Sequence, residues 1–285
     1  MAMAREVVSA KLDVIFKKFF SENLDLLKDF LSEILEIPID RINSVVPTNP
    51  ELTPEDIDGK FSRLDLNLIV DDKLVNVEIQ VNNDPNYRDR AMFYWSKLFS
   101  SELEKGENYS ELKQTITINI LDFILFPDRT DYHAEAVTVF KDTNELFYDK
   151  FHIHFFELRK LGKKFNSNNR REMWLQFIRA DSKEEFDMIA GTGDPAMKKA
   201  VNIIYDMSDN AKLREIARIR EKALHDEASQ MKAARDEGIS IGIAQGIEQG
   251  ISQGMEKGRI ERETEIISKL RAKGMSESEI KALLS

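Results

Sequence analysis

The chain has no cysteine. That excludes disulfides, thiolate zinc sites and cysteine nucleophiles, and it fits a reducing compartment. No apolar run is long enough to span a bilayer. The start, Met1-Ala2-Met3-Ala4-Arg5-Glu6, lacks the basic opening and apolar core of a secretory signal, so a cytoplasmic location is expected. No Gly-x-Ser-x-Gly elbow is present. Gly191-Thr192-Gly193-Asp194-Pro195 has no preceding strand and no lysine at the P-loop position, and reads as a turn. An excess of positive charge is also missing: the net charge is −10. Residues 210–285 carry 14 basic and 13 acidic side chains, so the acidic excess belongs to residues 1–209. A body of this sign does not hold nucleic acid by bulk electrostatics; it needs a local basic strip, bound cations or the avidity of an oligomer.

What is present is strong periodicity. With 285 residues the chain can bury a large core as one domain or two. Leu12, Ile15, Phe16, Phe19, Phe20, Leu24, Leu27, Phe30, Leu31, Ile34 and Leu35 recur at helical spacing, predicting one amphipathic helix over 10–36 that Pro38 ends. A loop with Pro47, Pro50 and Pro54 follows. A second helix is expected over 88–104, with Ala91, Tyr94, Trp95, Leu98 and Leu103 inward and Gly106 at its end. Strands are expected over 114–122, 135–140 and 151–156. Helix is expected over 170–205, with Trp174, Phe177, Phe186 and Ile189 as anchors and Asp181 or Ser182 capping one helix. A charged helix is expected over 211–237. This order predicts an α/β (α+β) fold, a central mixed sheet flanked by helices.

Between the first two helices lie Phe61–Val70, Asp71-Asp72, and Lys73–Val81, two runs that alternate with period two. Arg63, Asp65 and Asn67 share one face, as do Asn76, Glu78 and Gln80 on the second run. A two-residue loop at Asp71-Asp72 pairs Val70 with Lys73, and that register sets Asp65 opposite Glu78, Asn67 opposite Asn76 and Arg63 opposite Gln80. A three-residue loop would face Asp65 with Ile79. Opposed carboxylates repel at about 4.5–5.5 Å between Cβ atoms. A divalent cation reverses that sign, and two carboxylates suit Mg²⁺. Two readings stand at this point: an ordinary solvated hairpin face, or a metal site.

The tail holds a repeat. Gly238, Gly242, Gly246, Gly250, Gly254 and Gly258 fall every fourth residue beside Ile239, Ile243, Ile247, Ile251 and Met255. Each glycine costs a lone helix about 1 kcal/mol relative to alanine, as a flexible linker would tolerate. The apolar row favours instead a helical arm that pairs with another copy of the chain; the intervening Gln and Glu argue against a membrane helix. Ser276 and Glu279 have capping-box spacing before the last apolar run, and two short helices around Gly274 suit a protein contact as well as a DNA contact.

The chain resembles the Rpn family, the recombination-promoting nucleases also described as transposases of the PD-(D/E)XK class. The likeness covers most of residues 10–220. It rests on Asp13-x-x-Phe16-Lys17-x-x-Phe20, Asp65, Glu78-x-Gln80, Arg90-x-x-x-Tyr94, Gly106-x-x-Tyr109, the strand Ile116–Phe123, Trp174-Leu175-Gln176-Phe177 and the glycine-repeat tail. The resemblance implies a restriction-endonuclease-like core and a Mg²⁺-dependent (or Mn²⁺-dependent) DNA endonuclease of recombination or transposition. It implies that Asp65, Glu78 and the carbonyl of Ile79 hold the metal. Gln80 stands where the wider class often has lysine; it can orient a water but brings no charge, which Lys17 or Arg90 would supply. Asp13 would add a carboxylate, or simply cap its helix or pair with Lys17. Arg90 and Tyr94 also read as an ordinary helix face. The rival reading is a degenerate nuclease fold acting as a scaffold for DNA or a protein partner; a third is a purely structural oligomer. The expected organisation is a nuclease-like core over 1–160, a helical extension over 161–209 and a helical, oligomerising tail over 210–285. His152 and His154 share a strand face that suits a metal, but with no third ligand evident they read as an exposed edge.

Overall fold

The computed structural model describes residues 7–48, 66–101, 103, 108–162 and 165–284. Residues 1–225 and 226–285 form two compact units.

The first unit is built on a six-stranded mixed sheet, in the order β1-β2-β3-β4-β6-β5. Its strands are β1 (Val45–Pro47), β2 (Leu66–Val70), β3 (Lys73–Gln80), β4 (Thr115–Leu121), β5 (His133–Val139) and β6 (Leu146–Glu157). β3, β4 and β6 run parallel, and β1, β2 and β5 add antiparallel edges. β4 is buried at every position, as a central parallel strand covered on both faces must be.

The hairpin has the expected register. Val70 pairs with Lys73, Asn67 with Asn76 and Leu66 with Val77 across the two-residue loop. Asp71 adopts φ +54°, which Asp tolerates better than most residues. Its carboxylate accepts from the backbone N–H of Ser44 at 2.9 Å and of Asn43 at 3.0 Å. These bonds, the Ser44 one foremost, hold the Asp71 carboxyl below its usual range. They tie the turn, and so the register, to the segment entering β1.

Parity divides the sheet into two faces. Val75, Val77, Ile79, Ile116, Ile118, Ile120 and Phe156 join the larger core with α1 (Asp13–Glu22), α2 (Leu24–Leu35), α4 (Arg170–Arg179), α5 (Lys183–Ala190) and α6 (Pro195–Asp209). Its centre is aromatic: Phe20 lies 4.9 Å from both Phe16 and Phe30 and 5.8 Å from Trp174. Burying each such side chain contributes roughly 2–3 kcal/mol. Trp174 keeps its polar end satisfied by donating to Asp29 at 2.8 Å. The opposite face packs Leu121, Phe151, Ile153 and Phe155 under Tyr87, Ala91 and Trp95 of α3 (Tyr87–Ser100).

Several expected elements differ. The helix over 10–36 is two helices, because Asn23 leaves helical dihedrals (φ −131°, ψ 70°) and its side chain donates to the Phe19 carbonyl at 2.7 Å. The predicted loop before the hairpin contains β1, whose Pro47 fits because the strand is an edge. The helix over 170–205 is three helices. Ser182, not Asp181, caps the second through a reciprocal capping box with Glu185. Asp194 caps the third, with Gly193 at φ +84° in the turn before it. The helix over 88–104 ends at Ser100, and Gly106 lies outside the described residues.

α7 runs unbroken over Ala211–Ala272, so the glycine repeat is helical rather than a linker. A Cβ built on Gly238, Gly242, Gly246, Gly250, Gly254 or Gly258 meets nothing within 4 Å. The adjoining Ile239, Ile243, Ile247, Ile251 and Met255 are exposed. After Gly274 (φ +84°), α8 (Glu277–Leu284) begins with Glu279 accepting from the Ser276 N–H and Oγ–H. No helix among the described residues is long and apolar enough to cross a membrane.

Candidate active site

The alternation of β3 aims Asn76, Glu78 and Gln80 at the face that α3 covers. Glu78 is 4 % exposed. A bare carboxylate at that depth is costly unless a counter-charge meets it. Arg90, in the first turn of α3, meets it: Nη2 donates to Glu78 Oε1 at 2.9 Å and to Gln80 Oε1 at 3.4 Å, while Nη1 lies 3.5 Å from Asp84. The guanidinium sits 5.5 Å from the Tyr87 ring centroid, and its Nε has no hydrogen-bond partner among the described residues. Glu78, Gln80 and Arg90 are therefore one cluster.

Polar groups brace this cluster from both sides. Asn76 donates to Asn67 Oδ1 at 2.9 Å across the hairpin. Asn119 stands beside Glu78 in the β3–β4 ladder. It accepts from Tyr87 Oη at 3.0 Å and donates to the His154 carbonyl at 3.0 Å. Gln80 Nε2 donates to the Asn82 carbonyl at 3.3 Å, and Asn82 donates to the Leu224 carbonyl at 3.0 Å. The strand end thus reaches the start of α7.

Two further sequence candidates sit on α1, which packs on β3. Asp13 accepts from the Val14 N–H at 2.9 Å and from Arg220 Nε at 2.9 Å, and Arg220 Nη2 engages its other oxygen. Lys17, one turn on, is buried. Tyr94 is half-buried one turn after Arg90, 5.4 Å from the Phe93 ring. The Ile79 side chain lies in the larger core, so only its backbone carbonyl is a possible donor. Asp65 lies outside the described residues.

Sequence reading missed Asn119, Tyr87 and Arg220. Asn119 had a signal: Thr115, Thr117 and Asn119 alternate with Ile116, Ile118 and Ile120, a polar face on an otherwise apolar strand. Arg220 had none, since it lies 207 residues from Asp13 along the chain. The expected exposed edge at His152 and His154 is also corrected. His154 is buried, and Glu135 on the neighbouring strand joins both rings.

No curated protein and no solved structure matches the chain. A family model does, over residues 10–234, and it is described as PD-(D/E)XK nuclease family transposase. That span takes in the whole sheet, the Glu78–Gln80–Arg90 cluster and Arg220, and the chain belongs to this family of nuclease-fold transposases.

Proposed function

We propose that the protein is a metal-dependent DNA endonuclease that hydrolyses phosphodiester bonds in transposition or recombination, acting in the cytoplasm. The observation that carries this reading is the buried Glu78 of β3, held with Gln80 by Arg90 in a hairpin that pairs Leu66 with Val77. Glu78, Asp65 and the Ile79 carbonyl supply hard oxygen donors, which fit Mg²⁺ or Mn²⁺. The bound ion would lower the pKa of a water and offset charge on the scissile phosphate. Gln80 orients that water through its amide. Arg90 holds Glu78 through Oε1 and would add positive charge beside the phosphate. Lys17 adds further charge from α1. Asp13, clamped by Arg220, positions α1 against the start of α7, and Tyr94 lines the Arg90 side of the site.

One observation favours a second reading, a nuclease fold retained as a DNA or protein scaffold. Arg90 already neutralises Glu78, and Gln80 brings no charge. Plasmid cleavage with Mg²⁺ or Mn²⁺ decides between them. The nuclease predicts nicking by the wild type that Asp65→Asn and Glu78→Gln both lose. An inert wild type supports the scaffold, and cleavage that persists in both variants places the site elsewhere.

The exposed isoleucine row and open glycine row of α7 support an arm that pairs with a second copy, giving the avidity an acidic body needs on DNA. Truncation after residue 237 is expected to give a monomer in sedimentation; an unchanged oligomer rules the arm out as the interface.

A further inference from the structure

Three of the four histidines, His133, His152 and His154, gather on the sheet face opposite Glu78. Strand parity puts them there. His152 and His154 are two apart on β6, and β5 pairs His133 with Phe156 and Glu135 with His154. Glu135, His152 and His154 each bring one ligand atom within 4.8 Å of the others. They line a cavity of about 230 Å³ beside Ile34 and Ile37, at the end of α2. We propose that Glu135, His152 and His154 form a second metal site, for a borderline transition-metal dication of the Zn²⁺ class, separate from the nuclease centre.

The donor set selects the ion. Two imidazoles and one carboxylate suit Zn²⁺, Fe²⁺ or Co²⁺, whereas Mg²⁺ prefers oxygen throughout. Glu135 Oε1 lies 2.7 Å from His152 Nδ1 and 3.7 Å from His154 Nε2, so these three atoms converge. The outer ring nitrogens have partners that orient the rings. His152 Nε2 lies 3.0 Å from the Asp149 carbonyl, and His154 Nδ1 lies 3.1 Å from His133 Nε2. Protons on those outer nitrogens leave His152 Nδ1 and His154 Nε2 with free lone pairs, the arrangement typical of imidazole ligands. His133 then positions His154 without binding the ion. Its ring stacks on Phe156 at 4.4 Å, which keeps it in place. Without an ion, His152 Nδ1–H donates to Glu135 and Nε2 accepts from Gln114 at 2.9 Å. Binding needs that proton to move to Nε2 and the Gln114 amide to turn.

The charges nearby do not block a cation. Arg171 is paired with Glu36, and Lys73 lies on the cavity rim. The position in the ladder suggests the use. Glu135↔His154 and Ala136↔Ile153 are the last regular rungs of β5 and β6 before the register shifts at Thr138. An ion held from both strands clasps the edge strand at the point where backbone pairing loosens. With three protein ligands, it keeps an open position for water.

The test uses the full-length protein, stripped of metal and held in excess Mg²⁺ to occupy the nuclease centre. Zn²⁺ is titrated calorimetrically, and Co²⁺ is followed by its visible absorption. One equivalent per chain is expected, with nitrogen-ligand Co²⁺ bands and a Zn²⁺-dependent rise in Tm. His152→Ala, and Glu135→Gln, which keeps the side-chain shape, should each weaken binding about a hundredfold or more. Both should retain the near-ultraviolet circular dichroism of the folded protein. Glu78→Gln and His225→Ala should leave the equivalent in place. The proposal is overturned if the wild type takes up no Zn²⁺ or Co²⁺, or if His152→Ala and Glu135→Gln both bind as the wild type does. Loss of the equivalent in Glu78→Gln would also overturn it, by moving the ion to the other face.

Discussion

The sheet presents two polar clusters on opposite faces, and they use different chemistry. On the face under α3, Glu78 and Gln80 offer oxygen donors and share a guanidinium. On the face beside α2, Glu135 is joined by the imidazoles of His152 and His154. The first cluster is electrostatically closed by its own arginine. The second sets nitrogen donors against a single carboxylate. One sheet can therefore separate a hard cation from a borderline one through strand parity alone, because neighbouring residues on a strand face opposite layers.

The largest expected effect tests the α3 face. Glu78→Gln keeps the shape and removes the charge. Cleavage should fall by about 10²–10³-fold or more, on the order of 3–4 kcal/mol of barrier. Steady-state nicking rates measure this. A variant within a few-fold of wild type would remove Glu78 from the chemistry and dissolve the contrast between the faces.

Arg90→Ala comes next. It leaves the Glu78 carboxylate buried without this partner, and the expected loss of stability is about 3 kcal/mol, read from urea unfolding. Because Arg90 keeps some exposure, a value near the lower end of the buried-pair range is expected. A loss below about 1 kcal/mol would mean that water or another group already carries the Glu78 charge. Arg90→Lys keeps the charge but loses the fork that reaches Glu78 and Gln80 together, so it should recover only part of the stability.

The same contrast explains what could be read in advance. The α3 face was legible because alternation over Asn76, Glu78 and Gln80, together with a two-residue turn, sets the register without long-range information. Asp71 at φ +54° secures that turn locally. The helical break at Asn23 was not legible, because Phe19, Phe20 and Leu24 continue the same apolar stripe on both sides of it. The histidine cluster was half legible. His152 and His154 share parity, but Glu135 and His133 join them only through a β5–β6 pairing that the spacing of the strands does not determine. Arg220 on Asp13 depended wholly on where the last helix begins.

On the α2 face, His133→Ala removes the partner of His154 Nδ1 without removing a ligand. Zn²⁺ affinity is expected to fall about 10–100-fold, with stoichiometry unchanged, in a competitive chelator titration. Mg²⁺-dependent cleavage should not change. A loss of stoichiometry would make His133 a ligand rather than a positioning residue.

The smallest effect probes whether the two faces are independent. Asn119 links the two sides of the sheet: it accepts from Tyr87 Oη on the α3 face and donates to the backbone carbonyl of His154. Tyr87→Phe deletes the first bond and leaves the ring in the core, at a cost of about 1–2 kcal/mol in stability because Asn119 Oδ1 then loses a buried donor. The second bond remains, and it grips backbone rather than the imidazole. Zn²⁺ affinity should therefore stay within about twofold of wild type, the scatter expected of uncoupled sites. Cleavage should fall only modestly, since Arg90 retains its bonds to Glu78 and Gln80. A larger shift in Zn²⁺ affinity would show that Asn119 transmits strain through β4, and the two clusters would have to be treated as a single coupled centre.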